Sequence, residues 1–547
     1  MHHPIRLPRL RHAAGALVLG LALLASVTPV SAAAGDFPAR DSRYHNYAEM
    51  VADIMATQAA HPDLVKVFSI GKSYQGRDIW VAKISDNVAV DEAEPEILFD
   101  ALHHAREHLT VEQALYTLHM LADGYATDAT VKTLVDSREV FIIFEVNPDG
   151  GEYDLTGTTG VHAPYRGWRK TRQPNPGSSY IGTDPNRNYG YHWGCCGGSS
   201  SNPASITYRG SAPWSSREVQ VVRDFVNSRV IGGRQQIKAH ITLHTNGQLI
   251  LWPYGYTKAD VPWDMTLDDH AAFVALGKGM AARNGYRAMQ SSDLYITDGD
   301  QIDWLYGVHR IFSFTWELYP TEKNSVWTNF YPPDEVIASQ TARNRSALLY
   351  LINVGACPWG QIGKAKANCG PLFDDLEINR GWQVNPDGTD TATAGLWQRA
   401  NPPAISVSRR FTQLGTTTSG IVDFVTGAAI NGAASRSDVD GGTTTIRSAA
   451  VALPATVGAL SFRYYFSTAG SSAADSFKAY VEDAAGARTL VFQKLGTGAV
   501  VDAAWATARV AMTPWAGQSV RLVFTATDAA RDSRIEAGLD DIRIEQP

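Results

Sequence analysis

A change of pattern near residue 370 is the strongest constraint on how this chain can fold. Before it, apolar runs of strand length alternate with longer stretches of helical spacing. After it, only short β-like runs remain, set among Thr, Ser, Gly and Ala. Residues 96–102, 140–144, 241–243 and 311–315 read as strands, and residues 109–121 and 333–354 as helices. The run 140–144 is apolar throughout and is followed by Asn147-Pro148-Asp149-Gly150, a strong turn signal. Strands alternating with helices bury a largely central sheet between helical layers, the arrangement of an α/β domain. The later runs, at 460–466, 489–492 and 520–524, fit an all-β sandwich. At 547 residues the chain exceeds what one core usually serves.

The N-terminus carries an export pattern. Arg6, Arg9 and Arg11 precede an apolar run from Ala13 to Val27, and Val30-Ser31-Ala32 supplies small residues for cleavage. That run is short for a bilayer, and no later segment has the uninterrupted length of a span. The expected division is therefore a signal at 1–32, an α/β domain at 33–370 and a β-sandwich at 371–547, in a secreted chain without a membrane span. Four cysteines, Cys195, Cys196, Cys357 and Cys369, suggest two disulfides in such a chain and leave all three connectivities open. Adjacent cysteines lack the usual zinc-ligand spacing, so Cys195 and Cys196 read as disulfide cysteines, with partners left open, rather than as zinc ligands. A net charge of −7 gives no basic footprint and argues against a nucleic-acid partner.

The residues that suggest chemistry are His104 and Glu107 in Leu102-His103-His104-Ala105-Arg106-Glu107, and His244 in Thr242-Leu243-His244-Thr245-Asn246, both at predicted strand ends. Zinc accepts imidazole nitrogen and carboxylate oxygen, and a catalytic site leaves one position open for water. Two histidines and one glutamate meet that requirement, and carboxyl ends of neighbouring strands are where open α/β sheets place their sites. His103 and His104 would point to opposite faces of a strand, so only one of them joins Glu107 easily.

Further motifs follow in order: Trp168-Arg169-Lys170-Thr171-Arg172, Asp184-Pro185-Asn186-Arg187-Asn188, Leu251-Trp252-Pro253-Tyr254-Gly255-Tyr256, Tyr295 with Ile302-Asp303-Trp304, and Phe314-Thr315-Trp316-Glu317. With them the chain resembles the zinc metallocarboxypeptidases related to pancreatic carboxypeptidase A, and especially bacterial carboxypeptidase T, from about Asp36 to Cys369. The resemblance implies an α/β fold with a mixed eight-stranded sheet flanked by helices, one catalytic zinc held by His104, Glu107 and His244, and removal of the C-terminal residue from peptides or proteins. It implies Glu317 as general base and Arg172 as the residue facing the scissile carbonyl. Asn186, Arg187 and Tyr295 would clamp the substrate's terminal carboxylate, Arg106 would bind further along the substrate, and Asp184 would orient His104. The pocket for the terminal side chain would include Leu251, Gly255, Asp300 and Ile302. Ile302 favours apolar or aromatic ends and Asp300 basic ones, so the expected specificity is broad; Asp300 also reads as a loop-capping residue.

Asp86, Asp91, Glu92, Glu94 and Glu96 form an acidic cluster before the strand that leads to His104. Calcium prefers several carboxylate and carbonyl oxygens, and carboxypeptidase T-like enzymes carry calcium in a corresponding region, so the cluster is a candidate structural calcium site; it also reads as a solvated acidic loop. Asp36-Phe37-Pro38 resembles a mature start directly after the signal, which implies no inhibitory prosegment, and Asn246 stands where many relatives have Tyr. Residues 371–547 resemble jelly-roll modules of secreted bacterial hydrolases. Binding a carbohydrate or cell surface, or stabilising the enzyme, are the roles this implies, and Asp438, Asp440, Asp540 and Asp541 are candidate calcium oxygens.

Overall fold

The computed structural model describes residues 35–428, 438–529 and 533–547. The predicted signal at 1–32 lies outside them. Among the described residues no helix is long and apolar enough to cross a membrane.

Eight strands form the first sheet: β1 (Val65–Lys72), β2 (Asp78–Ile84), β3 (Glu96–Asp100), β4 (Glu139–Ile143), β5 (Ile237–Thr245), β6 (Leu249–Trp252), β7 (Arg287–Gln290) and β8 (Phe312–Leu318). Their order is β1-β2-β4-β3-β5-β8-β6-β7. The central run β4-β3-β5-β8 is parallel, while β1–β2, β2–β4 and β8–β6 are antiparallel. Period-two alternation serves both faces at once. Ile97 and Phe99 of β3, with Val140 and Ile142 of β4, face a core closed by the helices Tyr47–Ala60, Leu109–Ala122, Leu267–Asn284 and Arg345–Val354. Leu98, Phe141 and Ile143 face a second core closed by Arg217–Ser228 and Gln301–His309. Burial on both faces is why these runs read as continuously apolar.

Two expectations shift. The predicted helix at 333–354 is divided into a 3-10 turn, Asp334–Val336, and two helices, Ile337–Arg343 and Arg345–Val354. At the break, the buried Asn344 side chain donates to Gln113 Oε1 (2.8 Å) and to the Gln340 carbonyl (3.2 Å). The strand predicted at 96–102 stops at Asp100, because Leu102 adopts a positive φ of 54° and turns the chain.

Besides a two-stranded hairpin, Ile405–Val407 with Arg410–Gln413, the described residues beyond 370 build two six-stranded antiparallel sheets. Trp397, Phe424, Phe462 and Leu539 from one and Ile446, Phe477, Val481 and Phe524 from the other share one apolar layer, the packing of a sandwich. On the strand Arg534–Ile544, Ile535, Ala537 and Leu539 point into that layer, so Glu536 and Asp540 point to the other face. There Val425, Tyr465 and Ala503 form a small separate cluster with Leu414 and Trp505. Both side-chain oxygens of Asp423 and of Glu536 are buried without a hydrogen-bond partner among the described residues. The four cysteines form two disulfides, Cys195–Cys196 and Cys357–Cys369.

Candidate metal and substrate site

Sheet register assembles the centre. β3 and β5 run parallel with Asp100 beside Thr242, so the segments leaving their carboxyl ends carry His104 and His244 to the same place. On the other side of β5, Glu317 of β8 lies directly beside His244; neighbours in one row project from the same face of a sheet. His104 itself sits in the turn after β3 rather than on the strand.

His104 Nδ1 is 2.9 Å from Glu107 Oε1, His244 Nδ1 is 2.9 Å from Glu107 Oε2, and the two Nδ1 atoms are 3.1 Å apart. Ligands of a tetrahedral zinc at its usual bond lengths stand about 3.3 Å apart. All three side chains are buried. Burial pushes the Glu107 carboxyl up, but the two histidines outweigh it and hold the group well below the ordinary carboxylate range. Two facing imidazole nitrogens and one carboxylate are a donor set that fits zinc.

Asp184 is fully buried and caps the 3-10 turn Pro185–Arg187 by accepting from Asn186 N (3.0 Å). Its Oδ1 is 3.1 Å from His104 Nε2, and its Oδ2 accepts from Arg169 Nη2 (2.9 Å) and Nε (3.1 Å). Burial opposes ionisation of Asp184, but Arg169 and His104 hold its carboxyl well below the usual range. A proton on His104 Nε2 shared with Asp184 leaves Nδ1 free to ligate.

A cavity of about 500 Å3 opens over this cluster, lined by the three candidate ligands together with Arg169, Asn186, Arg187, Tyr295 and Glu317. Burial, and after it the charge of Glu107, pushes the Glu317 carboxyl well above its ordinary range, against the pull of Arg169 and Arg187. Arg187 is buried and is fixed by donating from Nε to the Gly198 carbonyl (3.0 Å) and from Nη1 to the Asn186 carbonyl (2.6 Å). Asn186 Oδ1 accepts from Gln301 N (2.9 Å), and its Nδ2 lies 3.5 Å from His244 Nε2. Tyr295 is about half exposed at the cavity wall. Asp298, fully buried, holds the Cys195–Cys196 turn against this wall by accepting from Gly198 N (2.8 Å) and Cys196 N (3.2 Å).

Two arginines expected to face substrate are not among the side chains that line the cavity. The Arg172 guanidinium sits 3.5 Å from the Tyr153 ring centroid and 4.7 Å from that of Trp168, and it is not among the side chains that line the cavity. Arg169, three residues earlier in the same motif, lines it instead. Arg106 stacks 4.0 Å over Phe330, which does line the cavity, so it reaches the site through that ring.

In the side-chain pocket, Leu251 and Asp300 line the wall while Gly255 and Ile302 do not. Gly255 lies behind Thr297 and Asp300: a Cβ there would come within 1.9 Å of Thr297 Oγ1 and 2.7 Å of Asp300 Oδ2. Asp300 caps the helix Gln301–His309, its Oδ1 accepting from Asp303 N (2.9 Å) and its Oδ2 from Thr297 Oγ1, and burial pushes its carboxyl up. The next acid, Asp303, went unassigned in the sequence; it is fully buried and accepts from Gly255 N (2.9 Å) and Tyr256 N (3.0 Å). His103 is buried with Tyr189 Oη 2.8 Å from its Nε2, and burial lowers its pKa to about 3.

The acidic cluster divides. Asp86, Glu92 and Glu94 bring oxygens within reach of one another, whereas Asp91 and Glu96 join Glu139. The second group has cations of its own: Arg229 pairs with Asp91 (2.7 Å) and Glu96, and Lys83 with Glu139 (2.6 Å).

Residues 50–347 match the family model of the zinc carboxypeptidases, Peptidase_M14. The chain belongs to the zinc carboxypeptidase family. It is 53% identical over 329 residues to a zinc carboxypeptidase of Saccharothrix mutabilis subsp. capreolus, an alignment covering 60% of this chain and 73% of that protein. It is 36% identical to carboxypeptidase A1 of Rattus norvegicus over 51% of this chain and 63% of the relative. Among solved structures it is similar to thrombin activatable fibrinolysis inhibitor, with a TM-score of 0.50, 26% identity and coverage of 57% of this chain and 74% of that one.

Proposed function

We propose that this zinc carboxypeptidase is secreted and hydrolyses the last peptide bond of peptides and proteins. The carrying observation is that His104, Glu107, His244 and Glu317 open into the same cavity as the buried guanidinium of Arg187. His104, Glu107 and His244 would hold the zinc, which when bound supplies Lewis acidity and a water of lowered pKa. Glu317, in the row beside His244, takes the proton of the attacking water and returns it to the leaving amine as the C–N bond breaks. Arg169 stands where Arg172 was expected and supplies the donor facing the carbonyl oxygen as charge develops there. Asp184 keeps Arg169 and His104 in register with one another.

Exopeptidase action follows from Arg187 and Asn186. A planar guanidinium pairs bidentately with a carboxylate. An internal peptide segment in that position leaves Arg187 unpaired in a buried site, which is costly. Specificity is proposed to be broad: Leu251 offers apolar wall to aliphatic and aromatic ends, and Asp300 receives basic ends once it ionises. Asp86, Glu92 and Glu94 are proposed to hold a structural calcium. Residues 33–370 would then be the catalytic domain and 371–547 an accessory β-sandwich, with a carbohydrate or cell surface as its proposed partner.

Digestion of a peptide, followed by mass spectrometry with and without a zinc chelator, tests the reading. Stepwise loss from the C-terminus that stops on chelation is expected; internal cuts, or losses that survive chelation, overturn it. Calcium removal under zinc-sparing conditions should lower the melting temperature, and an unchanged melting temperature removes calcium from the proposal.

A further inference from the structure

A second cavity, of about 140 Å3, lies where the eight-stranded sheet meets the sandwich, at the end of β5 opposite to His244. Arg234 and Lys238 line it from the strand region Arg234–Thr245, and Arg380 and Asp374 line it from the first segment of the sandwich. The two halves touch there: a Cβ on Gly233 would lie 2.7 Å from the Arg380 carbonyl oxygen.

Charge in this cavity does not balance. Arg380 has one partner, Asp374, at 3.4 Å from its Nε. Lys238 donates to the Gln235 carbonyl, and among the described residues neither Lys238 nor Arg234 has a carboxylate within ion-pair distance. Asp374 answers Arg380, which leaves the charge of Arg234, and that of Lys238 whenever it is protonated, in excess. Arg310 also lines the cavity, but Asp375 answers it at 3.7 Å. On the same lining, Arg380 Nε makes no hydrogen bond beyond its 3.4 Å ion pair with Asp374, and the buried His309 Nε2 has no hydrogen-bond partner among the described residues. Uncompensated charge in a part-buried site is expensive unless something pairs with it. The strain is visible on Lys238, which burial and then the repulsion of Arg234 and Arg380 push down to about 7.

We infer that this cavity is a binding site for a doubly charged tetrahedral oxyanion of the phosphate class, held by Arg234 and Lys238 from the sheet side and Arg380 from the sandwich side. Two arginine forks and an ammonium are the donor set such an anion takes, and the volume admits the anion with a few waters. Because its ligands come from both halves, the bound anion also ties the sandwich to the catalytic part.

The test uses the full chain with zinc and inorganic phosphate as the probe. Calorimetry and thermal melting are run against potassium chloride at matched ionic strength. The expected result is one saturable phosphate site per chain and a melting temperature that rises with phosphate and not with chloride. Arg234→Gln and Arg380→Gln each weaken phosphate binding tenfold or more, while kcat/KM on a small blocked dipeptide without phosphate stays within twofold. Lys238→Gln, which leaves the Arg380–Asp374 pair intact, weakens binding likewise and covers the case in which loss of that pair harms folding. Absence of saturable binding, an equal response to chloride, or phosphate binding that persists undiminished in the variants overturns the assignment; the last places the anion elsewhere, the metal centre included.

Discussion

Exchanging Arg169 and Arg172 for glutamine, one at a time, separates two side chains that the sequence presents in a single motif. Arg169 lines the cavity and makes two hydrogen bonds to the fully buried Asp184, at 2.9 and 3.1 Å. Removing a donor that faces a developing oxyanion costs about 100- to 1,000-fold in kcat, or about 3–4 kcal/mol. Arg172 stacks on Tyr153 and Trp168, contacts worth about 0.5–2 kcal/mol in stability and none in transition-state charge. Arg169→Gln is therefore expected to lower kcat and kcat/KM together by two to three orders of magnitude, with Arg172→Gln within a few-fold of the parent. The assay is steady-state hydrolysis of a blocked dipeptide, with bound zinc measured in parallel, since losing Arg169 also loosens Asp184 and through it His104. A hundredfold loss in Arg172→Gln, beside near-normal turnover in Arg169→Gln, would refute the assignment.

Other outcomes follow from the same geometry. Asp184→Asn keeps the shape but gives up the charge between His104 and Arg169, so zinc affinity measured by chelator competition should fall about 10- to 100-fold; unchanged affinity would mean that the bond to His104 does not orient the ligand. Asp300→Ala should reduce release of Lys and Arg relative to Leu and Phe, and an unchanged ratio leaves Asp300 as a helix cap alone. The sandwich carries a pH signature. Asp423 and Glu536 are each pushed up to about 8, by burial first and then by Asp540 and Asp438 respectively. A carboxyl raised in the folded state binds its proton there while the unfolded chain, with pKa values near ~4, does not. Stability is then full below about pH 4 for these groups and falls as pH rises towards 8. Asp423→Asn and Glu536→Gln should flatten that decline in thermal melts and gain on the order of a few kcal/mol at pH 8; variants as pH-sensitive as the parent would contradict the burial argument.

Much of the centre was legible because its chemistry demands particular residue types in order along the chain. His104, Glu107, His244, Asp184, Asn186, Arg187 and Glu317 stood out by motif, and the parallel strands that carry them by their apolar runs. Both faces of those strands are buried, which is why the helical layers too could be expected. The choice between Arg169 and Arg172 was not legible, because which of two nearby arginines enters a cavity depends on how the loop between β4 and Asp184 turns. The same holds for His104, which enters the site from a turn fixed by the positive φ of Leu102 rather than from a strand.

The one-dimensional order of residues therefore determined the donor types, the strand and helix alternation and the change of fold near residue 370, since each follows from local spacing and composition. Only the tertiary structure decided which oxygens of the acidic cluster are answered by Arg229 and Lys83, which cysteines pair, and that Arg234, Lys238 and Arg380 share a cavity. Those facts are long-range: they depend on burial and on charges brought together from segments as far apart as residues 234 and 380, and electrostatic energy is set by distance in space and by access to water rather than by position along the chain.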